Sequence, residues 1–157
     1  MTNQIVSGLQ LRDTLSGETR PFTPLNPKEI GIYSCGPTIY GPAHIGNFRS
    51  FLFADLLVRW LRASGHAVRW VVNLTDIDDK IIKRAVQSNR RIAEVTEFFI
   101  EAMHADERAL GVQAPDHQPC ATEFVGDMLG IIKQLEQNGL AYQADDGDVN
   151  FAVRGFP

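Results

Sequence analysis

Between Ile30 and Val72 the spacing of the apolar residues changes twice, and this constrains the fold more than any other feature of the chain. The run EIGIYSC, residues 29 to 35, is a short apolar strand carrying Ile and Tyr. From Asn47 onward Phe48, Phe51, Leu52, Leu56, Trp60 and Leu61 recur at spacings of three and four, the period of a helix with a broad apolar face. Ser64-Gly65 ends it, since glycine suits the position just past a helix. AVRWVV, residues 67 to 72, is apolar almost without interruption, as a strand buried on both faces of a parallel sheet would be. Strand, loop, helix, strand is a βαβ unit, with parallel strands and a right-handed crossover. Ligands of such sheets bind beyond the carboxyl ends of the strands. The loop that starts at Tyr33 and the run NLTDIDD from Asn73 both leave strands at that edge.

The flanks are simpler. Residues 9 to 25 read as two extended pieces around Ser16-Gly17, followed by a loop marked by Pro21, Pro24 and Pro27. A helix is expected from Thr75, with Thr75 as its cap and Asp76, Asp78 and Asp79 in its first turn, where negative charge suits the helix dipole. Ile92, Val95, Phe98, Phe99, Ala102, Met103 and Leu110 continue at helical spacing to Gly111. A boundary is placed after residue 113, giving domains 1–113 and 114–157. Beyond it a helix from Thr122 to about Asn138 stops at Gly139, and a hairpin turns at Asp146-Gly147. The net charge of −4 leaves no overall basic field for nucleic acid. Two cysteines make no disulfide framework and favour a reducing compartment. The first residues lack a basic segment followed by an apolar run, so no secretory signal is read, and no apolar stretch reaches the roughly 18 residues of a membrane span.

The loop YSCGPTIYGPAHIGNFRS, residues 33 to 50, is an odd way to join two core elements. Gly46-Asn47 opens a helix, whose free N–H groups can bind an anion such as phosphate. His44 lies just before that end, and Gly46 has no side chain to hold a ligand away. It fits neither the Gly-x-Gly-x-x-Gly nor the Gly-x-x-x-x-Gly-Lys pattern. Spacing alone leaves nucleotide binding and an ordinary strand-to-helix connection both open.

His44-Ile45-Gly46-Asn47 resembles the His-Ile-Gly-His signature of class I aminoacyl-tRNA synthetases. The longer runs YSCGPTIYGPAHIGNFRSF and VVNLTDIDDKIIKRA, in that order, resemble the cysteinyl-tRNA synthetase family, and the resemblance extends from about Leu9 to the end. It implies an α/β fold: the first half of a Rossmann-like (HUP-type) parallel sheet with flanking helices, then the start of an α+β connective insertion. It implies ATP-dependent activation of L-cysteine and transfer to tRNA(Cys). His44 and Asn47 would be catalytic, and His44, Gly46 and Asn47 would hold ATP, which enters with magnesium. Gly36, Thr38 and Thr75 would bind cysteine, and Cys35 would ligate zinc. Coordination lowers a thiol's pKa, so a metal–sulfur bond separates cysteine from serine better than an apolar pocket does. Asn47 departs from the usual final His but remains a donor.

The resemblance also implies a cytoplasmic, monomeric enzyme without membrane contact. The second ATP-binding signature, the remaining zinc ligands and the anticodon-binding domain all lie downstream in the family. The chain is therefore expected to be a catalytically incomplete amino-terminal fragment. Two rival functions remain: a cysteine ligase of the mycothiol pathway, and a non-catalytic half-fold binding module. Among the other candidates, Asp76, Asp78 and Asp79 suit helix capping better than magnesium. His117 and Cys120 lack the second pair a zinc site needs. His66 and His104 read as surface or edge residues, and Trp60 and Trp70 as packing groups. Lys80, Lys83, Arg84, Arg90 and Arg91 read as a solvated helix face.

Overall fold

The structure is a computed structural model, and it describes residues 8–156. The chain divides into two compact units, one ending at Pro119 and one starting at Cys120.

The first unit opens with a hairpin, β1 (Gln10–Arg12) antiparallel to β2 (Thr19–Pro21). Asp13 closes its turn by accepting from the Leu15 and Ser16 amides and pairing with Arg20 at 2.7 Å. A hydrogen bond from the Ser16 side chain, then the two amides and the Arg20 charge, hold the Asp13 carboxyl below its usual range. The βαβ unit follows: β3 (Ile30–Ser34), α1 (Ile45–Ala63) and β4 (Val68–Val72). β3 and β4 pair in parallel, from Ile30 opposite Val68 to Ser34 opposite Val72. Ala54 and Val58 of α1 pack on Trp70 and Val72, and Leu61 packs on Ile30. Trp70 is 2% exposed and donates its indole N–H to the Ser34 hydroxyl at 2.9 Å, so the largest core side chain is also satisfied.

α1 differs from its sequence reading in two ways. It begins at Ile45, not Asn47, because His44 caps it. Its broad apolar face is also not all buried. Phe48, Phe51 and Leu61 are inside, but Leu52, Leu56 and Trp60 are 37%, 65% and 39% exposed. α1 carries two apolar stripes, and only the one facing β4 is covered among the described residues. The same holds for β4. Trp70 and Val72 are buried while Arg69 is exposed, so the sheet is covered on one face rather than two.

The helix expected from Thr75 starts later. Thr75 forms a parallel bridge to Thr38, its amide donating to the Pro37 carbonyl, so its backbone extends the sheet instead of turning helical. Asp78 is the cap, accepting from the Lys80 amide, and α2 runs Asp79–Ser88. Asn89, left-handed at φ 51°, breaks the chain before α3 (Ile92–Leu110), which Gly111 ends at φ 72°. Glu94 accepts from the Arg91 amide and guanidinium at the start of α3, which lowers its pKa. Residues 116–119 then run along β4, with the Val72 amide donating to His117 and the Leu74 amide to Pro119. The compact unit therefore extends to Pro119, past the boundary drawn after residue 113.

In the second unit a 3-10 turn, Ala121–Phe124, precedes α4 (Val125–Gln137), so the regular helix starts after Thr122. Asn138 and Gly139 stop α4, and β5 (Ala141–Gln143) pairs antiparallel with β6 (Val149–Phe151) across the Asp146-Gly147 turn. Among the described residues no helix is long and apolar enough to cross a membrane.

Candidate active site

The two loops leaving β3 and β4 are stitched together. Thr38 bridges Thr75, and the Ile39 amide donates to the Thr75 carbonyl at 2.9 Å. Asn73 reaches across: its Oδ1 accepts from the Gly36 amide at 3.0 Å and its Nδ2 donates to the Thr75 hydroxyl at 3.4 Å. Sequence reasoning missed Asn73. No periodicity marks a side chain that clips one loop to another, and its place one residue past β4 was the only signal. Gly36 is obligatory here, since a Cβ would overlap the Asn73 carbonyl. Cys35 sits exposed at the end of β3, its thiol donating to the Gly36 carbonyl at 3.3 Å. The candidate cysteine-binding residues Gly36, Thr38 and Thr75 thus share one seam with Cys35.

His44 and Asn47 form the second part of the site. His44 Nδ1 accepts from the Gly46 amide at 3.1 Å, and Asn47 Oδ1 accepts from the His44 amide at 3.0 Å. This capping box closes the first turn of α1. It also orients both side chains. A His44 ring that accepts at Nδ1 carries its proton on Nε2 when neutral, and Asn47 keeps its NH2 free to donate. The Gly46 amide is consequently engaged by His44, not open to an anion as the sequence suggested. Gly46 still matters, because a Cβ there would lie 2.9 Å from His44 Cε1 and 3.0 Å from Nδ1. The chain presents two side-chain donors at a positive helix end, where negative charge is favoured.

Beside this end lies a cavity of about 390 Å³ whose walls include Thr38, Tyr40, His44, Asn47, Lys80 and Arg84. The ammonium of Lys80 sits 5.3 Å from the centre of the Tyr40 ring, and the Arg84 guanidinium 4.8 Å from that of Phe99. Both cations are exposed on the helix face, in line with the sequence reading, and each also stands over a ring.

The other candidates fall away from this edge. Asp78 caps α2 and Asp79 opens it, as capping residues do, while Asp76 is buried. His104 bonds Gln118 at 2.8 Å, and Trp60 lies on the uncovered stripe of α1. Among the described residues no three His, Cys, Asp or Glu side chains gather as a metal site requires. Among the described residues Glu107 is the one carboxyl whose pKa is raised. Burial drives the shift, against the opposing charges of His104 and Arg108. A carboxyl with a raised folded pKa stabilises the fold below its unfolded value of about 4.5, and loses that contribution as pH rises through the folded value. Glu107→Gln should therefore raise the melting temperature at pH 7 and leave it nearly unchanged at pH 4, as differential scanning fluorimetry would read.

Residues 21–157 match the family model of the class I (C) tRNA synthetase catalytic domain. The chain is 60% identical over 148 residues to a cysteine–tRNA ligase of Bordetella avium, covering 94% of this chain and 31% of that protein. It is 53% identical over 152 residues to a cysteine–tRNA ligase of a Janthinobacterium species, covering 97% and 33%. The chain thus spans about a third of the length of these relatives. Its fold resembles that of LeuRS in a ternary LeuRS-tRNA-LeuAMS complex from Agrobacterium radiobacter K84, with a TM-score of 0.64 and 23% identity over 78% of this chain and 16% of that one. With the family model matching nearly all of the described residues, the chain belongs to the class I tRNA synthetases of the cysteine type, within their catalytic domain.

Proposed function

We propose that this chain is the amino-terminal part of an enzyme that activates L-cysteine with ATP and transfers it to tRNA(Cys) in the cytoplasm. In this reading β3-α1-β4 is the first half of a Rossmann-like sheet, and the unit from Cys120 begins the connective insertion. The observation that carries the reading is the His44–Asn47 capping box, which turns two donors outward at the start of α1.

The chemistry needs no protein nucleophile. The cysteine carboxylate attacks the α-phosphorus of ATP, the bond to the bridging oxygen breaks, and pyrophosphate leaves with its magnesium. His44 Nε2–H and the Asn47 NH2 donate to phosphate oxygens as charge builds there, and both are fixed before the reaction begins. Gly36, Thr38 and Thr75 hold the amino acid's polar groups along the seam. Zinc would bind the substrate thiol, with Cys35 as one ligand. The described residues gather no further ligands around Cys35 and close no tetrahedral set, so they do not fit zinc by themselves.

The test is a chimaera in which this chain replaces the matching region of the Bordetella avium ligase. Cysteine-dependent exchange of pyrophosphate into ATP is expected from the chimaera and absent from the isolated chain. A folded chimaera without exchange would overturn the reading.

A further inference from the structure

We propose that Lys80 and Arg84 form a second phosphate-binding wall, which takes the terminal phosphates of a di- or triphosphate whose other end lies against His44 and Asn47. The proposal rests on the functional reading above and names the part of the ligand that the sequence motif leaves unheld.

Three observations carry it. First, Lys80 and Arg84 stand four residues apart on α2, hence on one face, and both line the same cavity as His44 and Asn47. Second, both cations are oriented without being neutralised. Each is exposed and lies over an aromatic ring, Tyr40 or Phe99, which favours that position and leaves its positive charge in place. The carboxylates in ion pairs among the described residues are Asp13, Asp55, Asp116, Glu29 and Glu94, and none of them engages Lys80 or Arg84. Third, no acidic residue lines the cavity, although the chain as a whole carries −4.

The charge pattern selects the ligand. Two full positive charges, a positive helix end and the His44 and Asn47 side chains face one cavity of about 390 Å³. A single backbone phosphate of RNA brings one negative charge to such a site. The tail of a nucleoside triphosphate, or free pyrophosphate, brings several within a few ångströms, and that density matches opposing walls. In the activation step the bond from the α-phosphorus to the bridging oxygen breaks, and the electron pair leaves on pyrophosphate. Lys80 and Arg84 meet that developing charge while His44 and Asn47 stay with the α-phosphate.

The experiment uses the chain as it stands and its His44→Ala variant, titrated by calorimetry with inorganic pyrophosphate, with ATP and, separately, with a short single-stranded RNA ending in CCA. Lys80→Gln/Arg84→Gln keeps part of each stem over its ring and removes the charge. The double variant is expected to weaken pyrophosphate binding at least ~10-fold, the size of a lost charged hydrogen bond, while Lys83→Gln on the same helix changes it little. Circular dichroism confirms that each variant is folded. Unchanged pyrophosphate affinity in the double variant overturns the proposal. So does a loss confined to the RNA, which would make the wall a nucleic-acid contact. Weakening of ATP by His44→Ala, without any effect of the double variant, would leave the functional reading standing and remove this one. If His44→Ala also leaves ATP binding unchanged, the functional reading falls with it.

Discussion

Gly36→Ala is expected to lower the melting temperature by roughly 10 °C or to prevent folding. Its new methyl group would collide with the Asn73 carbonyl, and backbone on one strand end cannot yield to backbone on the next without parting the seam. Overpacking of a well-ordered site typically costs about 1–3 kcal/mol where side chains can shift. Here no flexible atom is available, so about 3 kcal/mol or more is expected, and each kcal/mol moves a domain of this size by about 2–4 °C. The Gly36 amide would also lose its bond to Asn73 Oδ1. Gly31→Ala in the middle of β3 is the control, because a Cβ there meets nothing within 4 Å. It should be neutral or slightly stabilising, since alanine restricts the unfolded chain. Urea denaturation of the two variants gives the comparison, and equal midpoints would refute the close approach.

The second large effect concerns His44, which performs two tasks that can be separated. As a cap it closes the first turn of α1, and as a donor it presents Nε2–H. His44→Asn preserves the first task, because asparagine is among the best caps. It removes the second, because the shorter side chain does not reach the position of Nε2. In the chimaera the exchange rate should fall about 10²–10³-fold, the usual loss for one fixed donor at a reacting phosphate or oxyanion. The melting temperature should stay within a few degrees of the parent. A parallel loss of stability and exchange would show that His44 acts through the fold alone.

Much of this was legible in the sequence because it is periodic or punctuated. The βαβ unit followed from the change of spacing between Ile30 and Val72, and both hairpins from Ser16-Gly17 and Asp146-Gly147. The loop residues were legible by motif, and the seam between Thr38 and Thr75 agrees with both motifs sitting past strand ends. What escaped was decided by tertiary contact. Thr75 looked like a cap, but its hydrogen bonds go to Pro37 and Ile39, leaving the role to Asp78. Lys80 and Arg84 read as solvated charges and are exposed, but nothing in the sequence marked the rings beneath them, Tyr40 of the loop after β3 and Phe99 of α3. Leu52, Leu56 and Trp60 looked buried because apolar spacing reports which residues share a face, not whether anything covers that face.

The Asn73 clip has a consequence for the order in which the molecule assembles. Its two ends, Gly36 and Asn73, are separated by 37 positions that include all of α1. Closing a loop of that length costs roughly 3 kcal/mol of chain entropy beyond the fixed cost of closure. The hairpins β1-β2 and β5-β6 close across only a few residues and face no comparable barrier. The seam therefore forms after α1 has shortened the path between the strand ends. The seam is also part of the core, since Ile39 and Leu74 within it are 2% and 3% exposed. Parting Thr38 from Thr75 would therefore expose core side chains as well as separate the two loops.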